Sequence, residues 1–438
     1  MRPNQVLLFI IAVMVSLGIL CVVLPGRVVW GGYELRWPTL TRVLGTEQPD
    51  RQDTTALAAL EELEEFPVFT DTIVPADTVA EGEPLPAVPK VPVDSTTDSR
   101  LFLHSFYTSL PAAQTRVVRV VHYGDSQIEE DRMTQQIREI LQNRYGGKGV
   151  GLLPLVQTIP TVTTRQELRM NGRNVTPMQG PRRYLVYGPK HDQRKDGLYG
   201  PMGQSAWMAD SLVRGSEAVD AVAVPQTDGS HYELWKVFAD SSVHYTCSGD
   251  TVHLRGKGAV YGMSQESGTG IIVDNIPMRG CLGLVFTHVD SAQLGTFYRD
   301  ENVRLIIMQY GGNAIPFNKK AGTIQSIVYG LRDQVRYIRA CAPQASILFI
   351  GPSDMLTLSN GEWVTYPMVP YMDGLLRKMA LEENIAYFSL YRWMGGAGSM
   401  LRWKELGLAG EDGVHFTRAG ARKAGKAVAE WLLEGTEN

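Results

Sequence analysis

The chain has 438 residues, of which 44% are hydrophobic, 9% aromatic and 20% charged, a balance typical of a folded protein large enough for two domains. This composition excludes wholesale disorder and a fibrous repeat, and a formal net charge of -4 gives no reason to expect a nucleic acid partner. The four cysteines are too few for a disulfide scaffold and show no CxxC spacing, so we expect no structural zinc site.

The N-terminal region contains an uncharged apolar segment, residues 6–24. At about 1.5 Å per residue a helix of this length crosses a hydrocarbon core of roughly 30 Å, so the segment is either a signal peptide or a membrane anchor. A cleavable signal should end in small residues, whereas this one runs into Pro25, Gly26 and Arg27, which favours a retained anchor.

Arg2, with no acidic residue beside it, predicts that the short N-terminal flank stays in the cytoplasm. We therefore expect residues 1–28 to form a cytoplasmic tip and one transmembrane helix in the inner membrane. The catalytic body is then expected in the periplasm or outside the cell.

Residues 44–100 differ in composition from the rest of the chain. They hold 13 acidic and 3 basic side chains and the proline-rich run LPAVPKVPVDSTTDS. This pattern predicts an extended, self-repelling linker between membrane and body, with a short helix over TTALAALEELEEF as the alternative.

Beyond residue 100, apolar strands alternate with helical segments. The candidate strands are runs at 116–123, 303–310, 345–350 and 384–390, and the candidate helices lie at 133–145, 324–340, 369–383 and 417–435. Strands that are covered on both faces form nearly continuous apolar runs because neither face meets water. The alternation predicts a doubly wound parallel sheet of the α/β class.

Residues 161–270 interrupt this alternation with short period-two runs such as HYELWKVF and DTVHLRG, broken by Gly, Asp, Ser and Pro. Such runs predict an inserted, mostly antiparallel β domain. The insertion divides the catalytic domain into a first part at 101–160 and a second part at 271–438.

Polar residues that suit acyl transfer follow the predicted strands. Ser126 stands between the first strand and its helix, where a serine is commonly only an N-cap. Asp412 and His415 precede the last helix, and together with Ser126 they supply a nucleophile, a base and a group that orients the base. Asn313, after two glycines at another strand end, offers an amide donor for an oxyanion.

These blocks resemble those of the SGNH hydrolase superfamily, the GDSL-type esterases and lipases. The first block is similar to HYGDSQIEED at 122–131, the third to QYGGNA at 309–314 and the fifth to DGVHFT at 412–417. The second block is best matched by DNIPMRGCLG around Gly280, with Gly203 in YGPMGQS as a weaker rival.

The resemblance implies a three-layer, flavodoxin-like α/β fold with a five-stranded parallel sheet and a site that needs no cofactor or metal. Ser126 would be the nucleophile, His415 the base and Asp412 its partner. The oxyanion hole would consist of the backbone N–H groups of Ser126 and Gly280 and the side-chain amide of Asn313. Asp125, Gly312 and Asp354 are further candidates for lining the site, and a capping role is the alternative for Asp354.

Two positions depart from the family pattern. Gln127 stands where the family has Leu, and we expect this position only to pack. Ala314 stands where the family has Asp, which removes a carboxylate that would orient Asn313.

An inserted β module resembles the layout of cell-envelope carbohydrate esterases, including peptidoglycan O-acetylesterases. We therefore expect an exported, membrane-anchored serine esterase that hydrolyses O-acetyl esters of a cell-envelope glycan. The alternatives are a glycan O-acetyltransferase of the same fold and a non-catalytic glycan-binding or assembly protein.

Overall fold

A computed structural model describes residues 98–154, 160–170, 241–257, 260–289 and 291–436, and strands at 27–30, 33–36, 173–175, 182–183, 206–207, 214–225 and 234–239. The predicted membrane segment, most of the predicted linker and Gly203 lie outside these residues. Within the described part of the chain, no helix combines the length and the apolar composition needed to cross a membrane.

The chain divides into two compact units, Met1–Phe66 and Pro67–Asn438. In the first unit, strands β1 (Arg27–Trp30) and β2 (Tyr33–Arg36) pair in an antiparallel hairpin. The second unit carries all the other described elements.

The second unit is built on a parallel sheet of five strands. These strands are β3 (Val117–Gly124), β14 (Gly270–Pro277), β15 (Val303–Gln309), β16 (Ser346–Gly351) and β19 (Ala386–Ser389), and their order is β14-β3-β15-β16-β19. Strand β3, the first of these five in the sequence, therefore lies second in the sheet, which is the flavodoxin-like order. The prediction of a parallel α/β sheet is confirmed.

Helices cover both faces of this sheet. They are α1 (His104–Ser109), α2 (Thr134–Tyr145), α3 (Ser291–Asp300), α4 (Ala321–Cys341), α5 (Val369–Glu382), α6 (Leu390–Met394), α7 (Ser399–Glu405) and α8 (Arg418–Glu434). Successive strand residues point to opposite faces, so Val120 packs in the cluster of α1, α2 and α8 while Val121 packs in the cluster of α3, α4 and α5. The result is a three-layer arrangement.

Strand β14 lies where we expected the insertion to give way to the second part of the catalytic domain. Asp274 and Asn275 interrupt its apolar run, although nearly all of the strand is buried. A buried strand tolerates a carboxylate when a buried cation pairs with it, and Arg119 of β3 donates to Asp274 at 2.7 Å.

The remaining strands are antiparallel. They are β4 (Gly151–Leu153), β5 (Thr164–Met170), β6 (Arg173–Val175), β7 (Arg182–Arg183), β8 (Ala206–Trp207), β9 (Arg214–Pro225), β10 (Leu234–Ala239), β11 (Val243–Ser248), β12 (Thr251–Lys257), β13 (Val260–Glu266), β17 (Leu356–Ser359) and β18 (Glu362–Thr365). Apart from β4, which lies in the segment predicted as the first part of the catalytic domain, the strands of sheets β10-β13-β4 and β11-β12-β9-β5-β6 fall in the region predicted as the insertion. Strands β17 and β18 form a hairpin after β16.

A buried ionic cluster joins sheet β10-β13-β4 to the parallel sheet. The guanidinium of Arg119 contacts Glu266 of β13, Asp274 of β14 and Glu301, and Lys236 of β10 lies 2.8 Å from Glu266 and 2.9 Å from Glu301. Charges removed from water stabilise a structure only when they are paired, so this cluster fixes the two sheets relative to each other.

Candidate active site

Ser126 begins the turn that follows the central strand β3. Asp125 accepts a hydrogen bond from the Gln127 N–H at 3.0 Å and so caps a short 3-10 turn. A Cβ on Gly124 would lie 2.9 Å from Ile128, which explains why glycine precedes this turn. The serine therefore lies at the carboxyl edge of the sheet, where α/β folds bind ligands.

His415 connects Ser126 to Asp412. Ser126 Oγ lies 2.8 Å from His415 Nε2, and His415 Nδ1 lies 2.7 Å from Asp412 Oδ2. The other carboxylate oxygen of Asp412 accepts the backbone N–H groups of Val414 and His415 at 2.9 and 3.0 Å. The three side chains that the sequence predicted to meet thus form one hydrogen-bonded chain.

The charge of Asp412 fixes the tautomer of this chain. Burial raises the pKa of Asp412, but the hydrogen bonds from His415 and from two backbone N–H groups outweigh burial and lower the pKa to about 2. An ionised carboxylate only accepts, so Nδ1 carries the imidazole hydrogen and Nε2 is left to accept the Ser126 proton. This arrangement can activate a hydroxyl for attack on a carbonyl carbon.

Asn313 lies in the turn that follows β15. Gly311 adopts φ +118 there, a conformation that favours glycine. Asn313 Nδ2 donates to Asp125 Oδ2 and to the Cys281 carbonyl oxygen, both at 3.2 Å. The structure therefore brings Asn313 to Ser126, but with both amide hydrogens directed at protein acceptors.

Asp125 supplies the carboxylate that the family pattern places after Asn313. Ala314, which stands at that position, is fully buried in the apolar core. Asp125 is 5% exposed, and burial raises its pKa to about 6 despite the backbone hydrogen bond that it accepts. Asp125 and Gly312, two of the residues predicted to line the site, lie on the wall of the cavity described below.

Gly280 lies in a turn that follows β14 at the same edge of the sheet as Ser126. Its φ is +69, and the Met278 N–H donates to the Gly124 carbonyl at 2.7 Å. Arg279 forms a bidentate pair with Glu129 at 2.5 to 3.1 Å, which ties the turn to the segment after Ser126. Gly280 is not among the described residues that line the cavity.

Asp354, for which the sequence left a lining and a capping role open, is not among the described residues that line the cavity. Its carboxylate is fully buried and accepts hydrogen bonds from Thr365 Oγ1 and the Met400 N–H, both at 2.8 Å. These bonds connect hairpin β17-β18 to the first turn of α7. Asp354 therefore bonds the end of the hairpin and the first turn of α7 to one carboxylate.

Gln127 makes contacts that the sequence did not predict. Its Nε2 donates to the Val414 carbonyl at 2.7 Å, and its Oε1 accepts the Phe416 N–H at 3.4 Å. These two groups flank His415 on either side. The expectation that position 127 only packs was wrong, because the longer polar side chain reaches the backbone that carries the imidazole.

Arg132 reinforces the same connection and was missed in the sequence. Its guanidinium donates to the carbonyls of Ser126 at 3.2 Å and Phe416 at 2.9 Å. A guanidinium offers five donors in a fixed geometry, so one side chain holds the backbones of the nucleophile and the base together. In the sequence, the position of Arg132 six residues after Ser126 was the one local indication of this role.

The site opens into a small cavity with a volume of about 70 Å³. The described residues that line it are Asp125, Ser126, Gln127, Gln309, Tyr310, Gly312, Asn313, Pro316, Phe317, Pro352, Ser353, Met355, Leu356, Tyr366, Asp412, Val414 and His415. Polar groups at the sheet edge thus face a mostly apolar wall, to which hairpin β17-β18 contributes.

No cluster of three His, Cys, Asp or Glu side chains within the described ranges is placed to hold a metal ion. Cys281 lies near Asn313, but burial raises the pKa of its thiol to about 12. A thiol in that state is a poor nucleophile.

Comparison with solved structures relates this fold to esterases. The chain is similar to a peptidoglycan O-acetylesterase (20% identity, TM-score 0.57), with 78% of this chain and 99% of that chain covered. It is also similar to Est24, a carbohydrate acetylesterase from Sinorhizobium meliloti (15% identity, 37% and 79% covered, TM-score 0.28). A third is phospholipase A1 from Streptomyces albidoflavus NA297 (12% identity, 38% and 80% covered, TM-score 0.23).

The first of these likenesses extends over nearly the whole of the other chain and shows that the two proteins share a fold. Membership of the SGNH hydrolase superfamily stays a prediction from the sequence blocks. No protein-family model matches the sequence, and the search of curated proteins found no match.

The contacts of Gln127 predict that this side chain positions His415. In Gln127→Leu we expect a fluorophosphonate probe to label Ser126 about 10- to 100-fold more slowly, because a small displacement of a catalytic group costs this much. The matched control is Gln142→Leu, which removes an amide that donates to Gly149 and Ile271 outside the site. Equal labelling rates in the two variants would show that Gln127 does not position the imidazole.

Proposed function

We propose that the chain is a serine ester hydrolase that removes acetyl groups from a carbohydrate. The observation that carries this proposal is the continuous chain of hydrogen bonds from Ser126 through His415 to Asp412 beside a cavity. Such a chain converts a hydroxyl, weak as a nucleophile on its own, into one that attacks carbonyl carbons.

The reaction proceeds in two halves. Ser126 Oγ attacks the ester carbonyl carbon while His415 Nε2 takes its proton, and a tetrahedral oxyanion forms. His415 then gives that proton to the departing sugar oxygen, which leaves an acetyl group on Ser126. His415 then takes a proton from water, whose oxygen attacks the acetyl carbon, and returns the proton to Ser126 Oγ as the bond to Oγ breaks and acetate is released into solution with the remaining proton.

The oxyanion needs hydrogen-bond donors at the sheet edge. The backbone N–H groups of Ser126 and Gly280 and the amide of Asn313 are the proposed donors, and loss of one such donor costs on the order of 3 kcal/mol in transition-state stabilisation. For Asn313 this role requires exchange of its bond to Asp125 or to Cys281 for one to the substrate.

The cavity supports a small acyl group. A cavity of about 150 Å³ lined by apolar side chains binds benzene, and the volume here is about half of that. The space therefore suits an acetyl group better than a long acyl chain. A carbohydrate as the alcohol part is supported by the likeness to the peptidoglycan O-acetylesterase, whose chain is covered almost completely.

We also propose that the chain is anchored in the inner membrane through residues 6–24, with the esterase in the periplasm or outside the cell. The uncharged run and the lone Arg2 before it support this topology.

Alanine substitutions of two serines that line the same cavity test whether Ser126 is the nucleophile. Ser126→Ala should lower the turnover of p-nitrophenyl acetate by at least about 10⁴-fold, because it removes the hydroxyl that is bonded to His415 Nε2. Ser353→Ala is the control, since Ser353 lines the cavity but bonds to Gln127 instead. Similar activity in wild type and Ser126→Ala would end the proposal.

The size of the cavity predicts acyl selectivity. We expect kcat/KM to fall by about tenfold or more between p-nitrophenyl acetate and the butyrate, and further for the octanoate, because each extra methylene that cannot be packed costs about 1–3 kcal/mol. The three esters share one leaving group, so the acyl chain alone differs. An octanoate hydrolysed as fast as the acetate would contradict the proposed acetyl specificity.

The anchor is tested by carbonate extraction of membranes from cells that produce the full chain. We expect the protein to stay in the membrane pellet. Val15→Arg should release it, because a charge at the centre of a spanning segment costs about 2.5–3.5 kcal/mol of insertion free energy. Wild-type protein in the carbonate supernatant would show that residues 6–24 do not anchor the chain.

A further inference from the structure

A tight turn follows β14 at the same edge of the sheet as Ser126, and it consists of Met278, Arg279, Gly280 and Cys281. The Cys281 N–H donates to the Met278 carbonyl at 3.0 Å, which closes the turn. Gly280 has φ +69, whereas Arg279 is not among the described residues with positive φ. This combination defines a type II turn, whose third position favours glycine because its φ is positive.

The turn is bonded to the two segments that carry Ser126 and Asn313. The Met278 N–H donates at 2.7 Å to the carbonyl of Gly124, two residues before the serine. The Cys281 carbonyl accepts from Asn313 Nδ2 at 3.2 Å. The turn therefore lies between the proposed nucleophile and a proposed oxyanion donor.

The N–H of Gly280 is the donor that this turn can offer to a substrate. In a type II turn the N–H of the third residue takes no part in the hydrogen bond that closes the turn. Gly280 is buried, and its N–H donates to no other group in the part of the chain that the structure describes. Buried backbone N–H groups are nearly always paired, so this one suits an acceptor that arrives with a ligand.

The side chain of Arg279 ties the same peptide unit to the segment after the nucleophile. Its Nε and Nη2 atoms bond to the carboxylate of Glu129 at 2.5 to 3.1 Å. The Glu129 side chain is only 5% exposed, so water competes little for this carboxylate. Because a bidentate pair fixes orientation as well as distance, it sets the separation between the Gly280 turn and the segment that begins at Ser126.

The backbone that follows Glu129 is strained and is held by its own contacts. Glu130 and Asp131 have φ +59 and +61, left-handed values that cost free energy for residues other than glycine. The Asp131 carboxylate accepts from Arg138 of α2 at 2.6 and 3.1 Å and from Thr163 Oγ1 at 2.7 Å. Strain of this kind persists only where the surroundings enforce it, so Glu129 extends from a fixed backbone.

We propose that Glu129 and Arg279 are positioning residues of the oxyanion hole, whose ion pair holds the Gly280 N–H within hydrogen-bond distance of the tetrahedral oxyanion. The inference rests on the proposed esterase function, since it concerns a donor of that reaction. Both side chains act through the backbone of Gly280 and not by contact with the substrate. A displaced donor weakens the tetrahedral intermediate more than the bound ester, because the negative charge develops only in the intermediate.

The test measures kcat and KM of full-length variants with p-nitrophenyl acetate. Glu129→Met and Arg279→Met each remove the ion pair and keep a long side chain. We expect kcat to fall about 10- to 100-fold in each. KM should stay within about threefold of wild type, because acylation and deacylation both pass through a tetrahedral oxyanion and slow alike.

Two further variants show whether the pair acts as a unit. The double variant Glu129→Met/Arg279→Met should lose no more kcat than the worse single variant, because the second change removes a contact that is already broken. Arg279→Lys keeps the charge but loses the bidentate geometry, so its kcat should lie between those of wild type and Arg279→Met.

The matched control is Arg392→Met. Arg392 is another partly exposed arginine that donates to a buried carboxylate, Asp373, at 2.8 Å, and neither residue is among the described residues that line the cavity. We expect its kcat to stay within about threefold of wild type, because no donor of the site moves. Thermal unfolding of all variants reports any loss of stability.

The outcomes are distinct. A loss of kcat in both single variants that does not add in the double variant supports the proposal. Wild-type kcat in Glu129→Met or Arg279→Met, losses that add, or an equal loss in Arg392→Met overturns it while the esterase proposal stands. If Arg279→Met fails to fold, Glu129→Met and Arg279→Lys decide by the same criterion of kcat. A wild-type chain that does not hydrolyse the ester overturns both proposals together.

Discussion

The hydrogen bond between Ser126 Oγ and His415 Nε2 joins residues 289 positions apart and is the contact on which the site depends. Neither residue is held by this bond alone. The turn after β3 fixes the serine, the carboxylate of Asp412 fixes the imidazole, and Gln127 and Arg132 bond the backbone of one segment to that of the other. A hydroxyl and an imidazole kept at 2.8 Å need little reorganisation before reaction, which is the main requirement of such a site.

The same edge of the sheet concentrates buried polar groups that a purely structural core would avoid. Asp125 remains buried with a raised pKa, and Asn313 donates its amide hydrogens to Asp125 and to the Cys281 carbonyl. The burial of the Asp125 carboxylate costs stability, and such costs collect at functional sites. The ionic cluster around Arg119 lies away from this edge and keeps the antiparallel strands attached to the sheet.

The sequence predicted the parallel sheet because β3, β15 and β16 are apolar runs that end in polar residues, and it placed Ser126 and Asn313 at one edge for the same reason. It did not reveal strand β14, because the charge of Asp274 interrupts the run and its partner Arg119 is distant in sequence. The sequence also could not predict the hydrogen bonds of Gln127 and Asp354, because their backbone partners, Val414 and Met400, are far from them along the chain. The catalytic roles of Ser126, Asp412 and His415 stay predictions, although these residues lie in one hydrogen-bonded chain.

The most direct test of the account is to trap the acyl-enzyme. The full chain is mixed with p-nitrophenyl acetate, quenched in acid within the first turnovers and digested, and the acetylated peptide is identified by mass spectrometry. If Ser126 is the nucleophile and His415 its base, the acetyl group is found on Ser126 in wild type and not on Ser126 in His415→Gln. Release of acetate with Ser126 unmodified, or with the acetyl group on another side chain, would contradict it.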